Sequence, residues 1–216
     1  MQSLISKQKA QVNWMRFNST FVIEVTRGGD VFTSTAVALG KRMLLTAAHC
    51  VDCAEEIALI VGEDYRRPDS VKAVHHWVIH PGYNPGKSFY QNDLAIIYLD
   101  EDLPHFTALE VIADLPELDQ KCFLERIGFG GRDNHNIRTW TNPSYMGTTF
   151  DKKNFILKDE LSVVGDSGGP VYKEEEGQLK LIGIHSTLEG DNRTYVVNLS
   201  CYKDWIEGHL EYKNVV

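Results

Sequence analysis

The sequence lacks several features that would place it in a specialised class of protein. Its 216 residues contain no apolar run of about eighteen residues, the length that a membrane-spanning helix needs. Four cysteines are too few for a disulfide scaffold, and the Cys50–Cys53 pair has no second such pair to complete a zinc site. The net charge of -8 disfavours nucleic acid as a partner. The sequence therefore predicts no metal site, no membrane span and no nucleic-acid partner.

The remaining cysteines and the N-terminus leave alternatives open. Cys122 and Cys201 either pair across the fold or stay free with the other two. Residues 1–17 are polar and lack the apolar core of a secretory signal. We expect a secreted or periplasmic protein whose signal is absent from this chain; the alternative is a translocated or intracellular protein. The length fits one large domain or two tightly packed halves.

Short apolar runs broken by turn residues predict an all-β domain. Gly28 and Gly29, and later Gly40, mark turns between the runs. A helix is expected only at the end of the chain, from Tyr202 to about Leu210, where apolar residues recur at helical spacing. Such a series of strands is typical of a sandwich or a barrel, and periodicity does not choose between them. The predicted strands are residues 21–25, 31–39, 42–46, 57–61, 71–79, 94–99, 122–127, 179–185 and 195–199.

Residues 165–170 (GDSGGP) carry the sharpest chemical signal in the chain. An acyl-transfer nucleophile needs an exposed hydroxyl on a tight turn, with backbone N–H groups aimed at the developing oxyanion. The glycines around Ser167 let the backbone bend and approach a substrate closely. The alternative is a glycine-rich hairpin with an incidental serine.

Two further segments supply the other groups that such a nucleophile requires. In residues 44–50 (LLTAAHC) an apolar run meets two small residues and then His49, whose ring can pack on its strand and still reach a cleft. In residues 92–96 (NDLAI) Asp93 leads an apolar run, and a buried carboxylate there would need a donor such as an imidazole N–H. Taken alone, His49 is equally consistent with a histidine packed in the core, and Asp93 with an ordinary turn residue. The order His49, Asp93, Ser167 is that of the chymotrypsin arrangement.

These segments resemble those of the trypsin/chymotrypsin-like serine peptidase family, from about residue 21 to 210. Residues 128–130 (GFG) and 181–186 (LIGIHS) resemble two further family segments in the expected order. The resemblance implies an all-β, chymotrypsin-like fold with two antiparallel six-stranded β-barrels, a C-terminal helix and the active site between the barrels. The whole chain, residues 1–216, would be a single peptidase domain. Its barrels would cover about 18–105 and about 118–200, and its helix about 202–210.

A closer resemblance is to the bacterial glutamyl endopeptidase branch, carried by residues 31–41 (VFTSTAVALGK) and 44–46 (LLT). Animal members usually carry a cysteine where Ser34 stands, bonded to the cysteine after the catalytic histidine, which is Cys50 here. That partner is missing, and no cysteine lies just before Gly165. These departures favour a microbial-type enzyme without a bridge that catalysis needs.

The resemblance also implies roles for residues around the nucleophile. The backbone N–H groups of Gly165 and Ser167 would form the oxyanion hole. Ser186, Thr187 and Leu188 would pair with the substrate backbone as an added strand. Thr187 and Leu188 depart from the family's aromatic-glycine pair, and Leu188 in place of glycine would narrow the entrance to the specificity pocket.

The residue before the nucleophile, Asp166, raises a question about activation. In many family members this aspartate pairs with the amine of an Ile-Val-Gly-Gly start that cleavage creates. The sequence has no such start. Asp166 therefore needs another cation or a cage of hydrogen-bond donors.

The specificity pocket is predicted from four residues. Leu161, six residues before Ser167, stands where an aspartate would read basic side chains. Ser162 and His185 match the hydroxyl and the histidine of glutamyl endopeptidases, and Arg193 precedes a strand near another pocket wall. A hydroxyl, an imidazole and a guanidinium together can hold a carboxylate. We expect cleavage after glutamate and then aspartate; the alternative is an apolar pocket, with His185 merely packed and Arg193 in solvent.

The expected function is that of a serine endopeptidase working through an acyl-enzyme. Ser167 would attack, His49 would take and return the proton, and Asp93 would fix the tautomer of the imidazole. No metal or organic cofactor is implied, and the expected partner is a peptide or protein substrate. The alternatives are a non-catalytic protein-binding module on the same fold, or an esterase. The oligomeric state is left open.

Overall fold

The chain folds as two curled β-sheets followed by a C-terminal helix. A computed structural model describes residues 10–11, 18–86, 90–104, 106, 110–111, 117–131 and 137–212. The expectation about a secretory signal rests on residues of which 1–9 and 12–17 lie outside the described ones. The helices are α1 (Ala48–Val51) and α2 (Lys203–Tyr212). The strands are β1 (Ala10–Gln11), β2 (Thr20–Arg27), β3 (Asp30–Gly40), β4 (Met43–Thr46), β5 (Glu56–Val61), β6 (Ser70–Val74), β7 (His76–Ile79), β8 (Ala95–Tyr98), β9 (Glu110–Val111), β10 (Leu124–Gly128), β11 (Thr139–Thr141), β12 (Ser144–Thr148), β13 (Asn154–Lys158), β14 (Pro170–Glu175), β15 (Gln178–Leu188) and β16 (Arg193–Asn198).

The first sheet closes on itself through a bent strand. Its order is β6-β5-β2-β3-β4-β8-β7, so that β6 and β7 lie at opposite edges. In the chain these two strands are separated by His75 alone. The two edges must therefore meet. The predicted strand 71–79 is one strand that bends at His75, pairs with β5 before the bend and with β8 after it, and closes a six-stranded barrel.

The second sheet closes in the same way. Its order is β1-β11-β10-β14-β15-β16-β13-β12, and β9 pairs in parallel with β15. Asn142 and Pro143 alone separate β11 from β12. Proline has no N–H to donate to a ladder, which favours a bend at this point. The predicted all-β, two-barrel fold with a C-terminal helix is confirmed; β1 and β9 are short additions to the six-stranded plan.

Several elements differ from the prediction. The sequence pattern missed α1, because a single helical turn has no measurable apolar period, and it missed β11 to β14. The strand β14 begins at Pro170 and ends in the charged residues Glu174 and Glu175, so that it lacks an apolar run. The C-terminal helix begins at Lys203, after a 3₁₀ turn at Leu199–Tyr202, and continues to Tyr212.

The two barrels share a core. A single buried cluster contains Phe21 and Leu45 from the first barrel, Ile127 and Ile184 from the second, and Ile206 from α2. Since protein interiors are densely packed, this shared cluster fixes how the barrels face each other. A second cluster fills the other side of the second sheet and consists of Leu124, Phe155, Leu157, Val171, Ile182 and Val196.

The second cluster yields a stability prediction. Phe155 is 1% exposed, so that Phe155→Ala should lower the free energy of unfolding by about 3–5 kcal/mol. The matched control is Phe150→Ala, since Phe150 is fully exposed at the neighbouring turn and its loss should cost within about 0.5 kcal/mol. Urea denaturation followed by tryptophan fluorescence measures both. Equal losses in the two variants would contradict the packing described above.

Candidate active site

Ser167 lies on a turn that only glycines can form. Gly165 has a φ of +97° and Gly168 a φ of +82°, in the region that residues with side chains rarely adopt. A Cβ on Gly168 would lie 2.0 Å from the Thr35 carbonyl oxygen. The turn of the second barrel is therefore seated directly against β3 of the first.

Thr35 holds this turn at two residues, Gly165 and Ser167. Its backbone N–H donates to the Ser167 carbonyl at 2.8 Å, and its hydroxyl donates to the Gly165 carbonyl at 2.9 Å. Orienting the Gly165 and Ser167 carbonyls toward β3 fixes the peptide planes of the turn. Neither the Gly165 N–H nor the Ser167 N–H donates a hydrogen bond within the part of the chain that the structure describes.

His49 and Asp93 meet at the end of the first barrel. The His49 Nδ1 atom lies 2.7 Å from Asp93 Oδ2, and the His49 backbone N–H donates to Asp93 Oδ1 at 2.8 Å. The Ser186 hydroxyl donates to Asp93 Oδ2 at 2.5 Å. Asp93 is fully buried, and these three donors offset the cost of removing its carboxylate from water.

The other ring nitrogen of His49 faces a thiol. The Cys50 Sγ atom lies 3.6 Å from His49 Nε2, whereas the Ser167 hydroxyl donates to the Ser186 carbonyl at 3.1 Å. The described residues show no Ser167–His49 hydrogen bond. In ligand-free enzymes such bonds are often long and form only when substrate binds, so a rotation of the Ser167 hydroxyl is what the site requires.

One aromatic neighbour of His49 was missed from the sequence. The Tyr90 ring stacks on the imidazole with centroids 4.8 Å apart and an interplanar angle of 27°. Tyr83 packs behind it, with its ring centroid 6.1 Å from that of Tyr90. Tyr90 precedes Asp93 by three residues, and this closeness is the signal that could have revealed it. The stack covers one face of the imidazole and limits its movement.

The predicted pocket residues separate into two groups. The Ser162 hydroxyl and His185 Nε2 lie 2.9 Å apart, both buried, beside the half-buried Leu161. Arg193, at the start of β16, instead bonds to Asp191 at 2.8 Å and approaches Glu189 at 3.5 Å. The structure thus brings Ser162 and His185 together, while Arg193 is engaged with acidic neighbours at the surface.

The imidazole of His185 is held in its neutral form. Burial lowers its pKa well below the usual range, and the nearby Arg126 guanidinium acts in the same direction. Its Nδ1 atom is buried and has no hydrogen-bond partner among the described residues. The Nε2 atom is the ring nitrogen that meets a predicted pocket residue, Ser162.

Ser186, Thr187 and Leu188 lie on an open sheet edge. In β15, pairing with β14 ends at Ile184, whereas pairing with β16 continues to Leu188. On the β14 side, residues 186–188 have no strand partner among the described residues. An extended peptide can therefore pair with this edge.

The cation that pairs with Asp166 is Arg126, a buried residue of the second barrel. The Arg126 Nη1 atom of β10 lies 3.0 Å from Asp166 Oδ2, and the Val163 and Gly130 N–H groups each donate to the carboxylate at 2.9 Å. A Cβ on Gly128 would lie 2.2 Å from Asp166 Oδ1, which explains that glycine. Arg126 was missed because an arginine in a short strand is usually exposed.

The remaining expectations concern the cysteines, a metal site and a membrane-spanning helix. All four cysteines are free thiols, so the Cys122–Cys201 pairing does not form. In the described ranges no group of three or more His, Cys, Asp or Glu side chains is arranged to hold a metal ion. Neither α1 nor α2 is long and apolar enough to cross a membrane, and the search covered the described residues alone.

Comparison with known proteins decides the family. Residues 10–206 match the model of the trypsin family. The chain belongs to the trypsin family.

Curated relatives of this trypsin-family chain are insect and mammalian proteins. CLIP domain-containing serine protease B10 of Anopheles gambiae is 25% identical over 85% of this chain and 63% of its own length. Chymotrypsin of Phaedon cochleariae is 25% identical over 87% and 73%. Vitamin K-dependent protein C of Oryctolagus cuniculus is 25% identical over 82% and 46%. The chain thus spans less than two thirds of the first and third of these relatives.

Solved structures share the fold at lower identity. The scabies mite inactivated protease paralogue S-I1 superposes with a TM-score of 0.80 at 16% identity, over 95% of this chain and 100% of that chain. Human heparin binding protein gives a TM-score of 0.76 at 19% identity, over 94% and 96%.

The predicted placement in the bacterial glutamyl endopeptidase branch finds no support in these relatives. The missing disulfide beside His49 suggested a microbial-type enzyme, whereas the curated relatives come from insects and a mammal. A single lost bridge is a property of this chain and does not mark a bacterial origin. The family is confirmed and the branch is not.

The surroundings of His49 yield a prediction about its titration. Burial of the ring lowers its pKa, but the Cys50 sulfur and the hydrogen bond to Asp93 outweigh burial and raise the pKa of His49 well above its usual value. Since a raised pKa keeps the imidazole protonated to higher pH, a base function for His49 would be gained only as pH rises through that value. Cys50→Ala should move the titration midpoint down.

Proton NMR of the histidine Cε1–H resonances measures the midpoint, with His49→Gln used to assign the signal. The matched control is Cys53→Ala, because Cys53 is exposed and outside the ring's contacts. A midpoint at or below the ordinary value of about 6.5 would contradict the expectation. So would equal shifts in the two cysteine variants.

Proposed function

We propose that this chain is a serine endopeptidase, with residues 1–216 forming one peptidase domain. The observation that carries the proposal is that the two barrels bring a glycine-built serine turn and a partly buried His49, paired with the fully buried Asp93, to the same junction. Ser167 is fastened to β3 by Thr35, and His49 and Asp93 are joined at 2.7 Å. The trypsin-family membership supports the same conclusion.

In this proposal Ser167 attacks the carbonyl carbon of the scissile bond. His49 Nε2 accepts the hydroxyl proton and later donates it to the leaving amine, so its ring must be neutral at the start. Asp93 holds Nδ1–H and stabilises the imidazolium that forms. Water then repeats the attack on the acyl-enzyme, with His49 again acting as the base.

The backbone N–H groups of Gly165 and Ser167 are proposed to bind the oxyanion. They donate no hydrogen bond in the described part of the chain, and the Asp166 carbonyl, which shares a peptide unit with the Ser167 N–H, accepts the Gly169 N–H at 3.0 Å. Two donors that are already oriented need no rearrangement when charge develops on the oxygen. The substrate backbone would pair with the open edge at Ser186, Thr187 and Leu188.

We further propose that the pocket prefers glutamate or aspartate before the scissile bond. Ser162 and His185 supply a hydroxyl and an imidazole that face each other at 2.9 Å, and Leu161 carries no charge to attract a basic side chain. An entering carboxylate would favour protonation of His185, so that binding would take up a proton. Arg193 is paired with Asp191 and contributes less than its sequence position suggested.

We propose that the protein is secreted, because it belongs to the trypsin family. The exposed free thiols of Cys53 and Cys201 are the observation that supports the intracellular alternative, since exposed thiols oxidise readily outside the cell. Fractionation of the source cells with an antibody against the chain separates the two locations.

The proposed nucleophile is tested by Ser167→Ala. Removing the hydroxyl should lower kcat by on the order of 10⁶-fold while leaving the melting temperature unchanged, as expected for a nucleophile that acts together with its base. Ser200→Ala is the control, since the Ser200 hydroxyl donates only to the side chain of Asn198, which caps the 3₁₀ turn. Stoichiometric labelling of the wild type by a fluorophosphonate, lost in Ser167→Ala, identifies the same atom.

Each competing function has its own outcome in this assay. Wild-type activity in Ser167→Ala would refute the assignment of the nucleophile. A wild-type chain that neither cleaves peptides nor reacts with the fluorophosphonate would be a non-catalytic binding module. Turnover of esters without any peptide cleavage would identify an esterase.

The acidic preference is tested with peptides that differ only in Glu, Gln or Phe before the scissile bond. Charge recognition requires kcat/KM for Glu to exceed that for Gln by about tenfold, or about 1.4 kcal/mol. If His185 takes up a proton, the Glu/Gln ratio should rise as the pH falls from about 8 to about 6. Cleavage after Gln or Phe at the rate for Glu would overturn the preference and leave an apolar or merely polar pocket.

A further inference from the structure

Arg126 is a charged side chain in the interior of the second barrel. It belongs to β10 and is 1% exposed. Its guanidinium lies between two buried carboxylates, with Nε 2.5 Å from Asp159 Oδ2 and Nη1 3.0 Å from Asp166 Oδ2. Burial opposes its charge, but the two carboxylates prevail and raise the pKa of Arg126. The guanidinium is therefore a permanent cation that bridges two acids.

The two acids stand at the two ends of one segment. Asp159 Oδ1 accepts the Leu161 N–H at 3.0 Å, and its Oδ2 accepts the Thr141 hydroxyl at 2.9 Å. Asp166 accepts the Val163 N–H at 2.9 Å. Each carboxylate thus organises the backbone of the segment that begins at residue 159 and ends at residue 166.

This segment carries both halves of the substrate site. It contains Leu161 and Ser162 of the proposed pocket, and it contains Gly165, whose N–H is one of the two proposed oxyanion donors. Val164 is 90% exposed, so that this side chain does not anchor the segment in the core. Arg126 is the group that touches both ends of the segment.

We propose that Arg126 is the positioning residue of this site. Its guanidinium contacts both Asp159 and Asp166, and it thereby fixes the positions of the proposed oxyanion-binding amides and of the pocket wall together. This inference rests on the proposed peptidase function but concerns a residue that touches neither substrate nor the reacting atoms. A planar guanidinium can bond two carboxylates from different edges, whereas an ammonium is a single point charge. The position should therefore require arginine rather than any cation.

The variants are Arg126→Met, which removes the charge, and Arg126→Lys, which keeps the charge but lacks the planar guanidinium. The matched control is Arg138→Met. Arg138 is the other arginine among the largest fully buried side chains, also 1% exposed, and it donates to the Thr20 carbonyl at 2.7 Å. Loss of a buried arginine should lower the melting temperature in both Met variants. Only the Arg126 variants should affect the segment from 159 to 166.

The first measurement is kinetic, made well below the melting temperature of each variant. Arg126→Met should lower kcat by on the order of 100-fold, the cost of a misplaced oxyanion donor, and weaken a peptide boronate by a similar factor. A boronate adduct places an oxygen where the oxyanion forms, so parallel losses report the amides rather than general stability. Arg126→Lys should fall between Arg126→Met and the wild type, and Arg138→Met should keep its kcat.

The second measurement is hydrogen exchange of the backbone amides in peptides that cover residues 159–167. Exchange there should accelerate in Arg126→Met and, to a smaller extent, in Arg126→Lys, but not in Arg138→Met. This readout needs no turnover. An inactive wild type would refute the proposed function while the exchange comparison still tests Arg126. If Arg126→Met does not fold, the Lys variant carries the same comparison.

Two results would overturn the inference. One is wild-type exchange in the 159–167 peptides of both Arg126 variants. The other is a loss of kcat in Arg138→Met as large as that in Arg126→Met, because this would mean that any buried arginine supports the site through stability alone.

Discussion

The contact of Thr35 with the serine turn is the constraint on which the site depends, since it is made between the two barrels. Thr35 belongs to β3, while Gly165 and Ser167 belong to the second barrel. Gly168 lies so close to β3 that no side chain fits. The nucleophile is therefore positioned by the barrel that also carries His49 and Asp93. A shift of one barrel against the other would have to break these bonds before it could separate the serine from the imidazole.

A buried carboxylate in each barrel holds part of the site in place. Asp93 in the first barrel and Asp166 in the second are both fully buried, and each is satisfied by a set of donors rather than by a single partner. Such networks are costly when incomplete and rigid when complete. Each one also holds a backbone segment of the site. Stability and geometry are thus set by the same hydrogen bonds, which concentrates the effect of a mutation on a few residues.

The sequence pattern predicts an all-β chain and the residues that meet at the junction, because glycine-built turns and an aspartate before an apolar strand are local signals. The two-barrel arrangement was predicted only from the resemblance to a known family, because strand periodicity fits a sandwich as well as a barrel. The sequence pattern does not reveal Arg126 or Tyr90, since their roles depend on contacts with residues distant in the chain or on ring orientation. It also misplaces Arg193, whose partners Glu189 and Asp191 lie in the turn just before it and neutralise its charge. Surface ion pairs of this kind leave no periodic pattern that a sequence can show.

The free thiol of Cys50 changes how inhibition of this protein should be interpreted. Its sulfur lies 3.6 Å from His49 Nε2, and the thiol is not protected by a disulfide. A thiol-directed alkylating reagent that reached Cys50 would place its bulk against the imidazole and obstruct the proton transfer. Inactivation by such a reagent would therefore not diagnose a cysteine nucleophile. If the chain is the serine endopeptidase proposed above, classification by inhibitor class would assign it to the cysteine peptidases unless a serine-directed reagent were compared alongside.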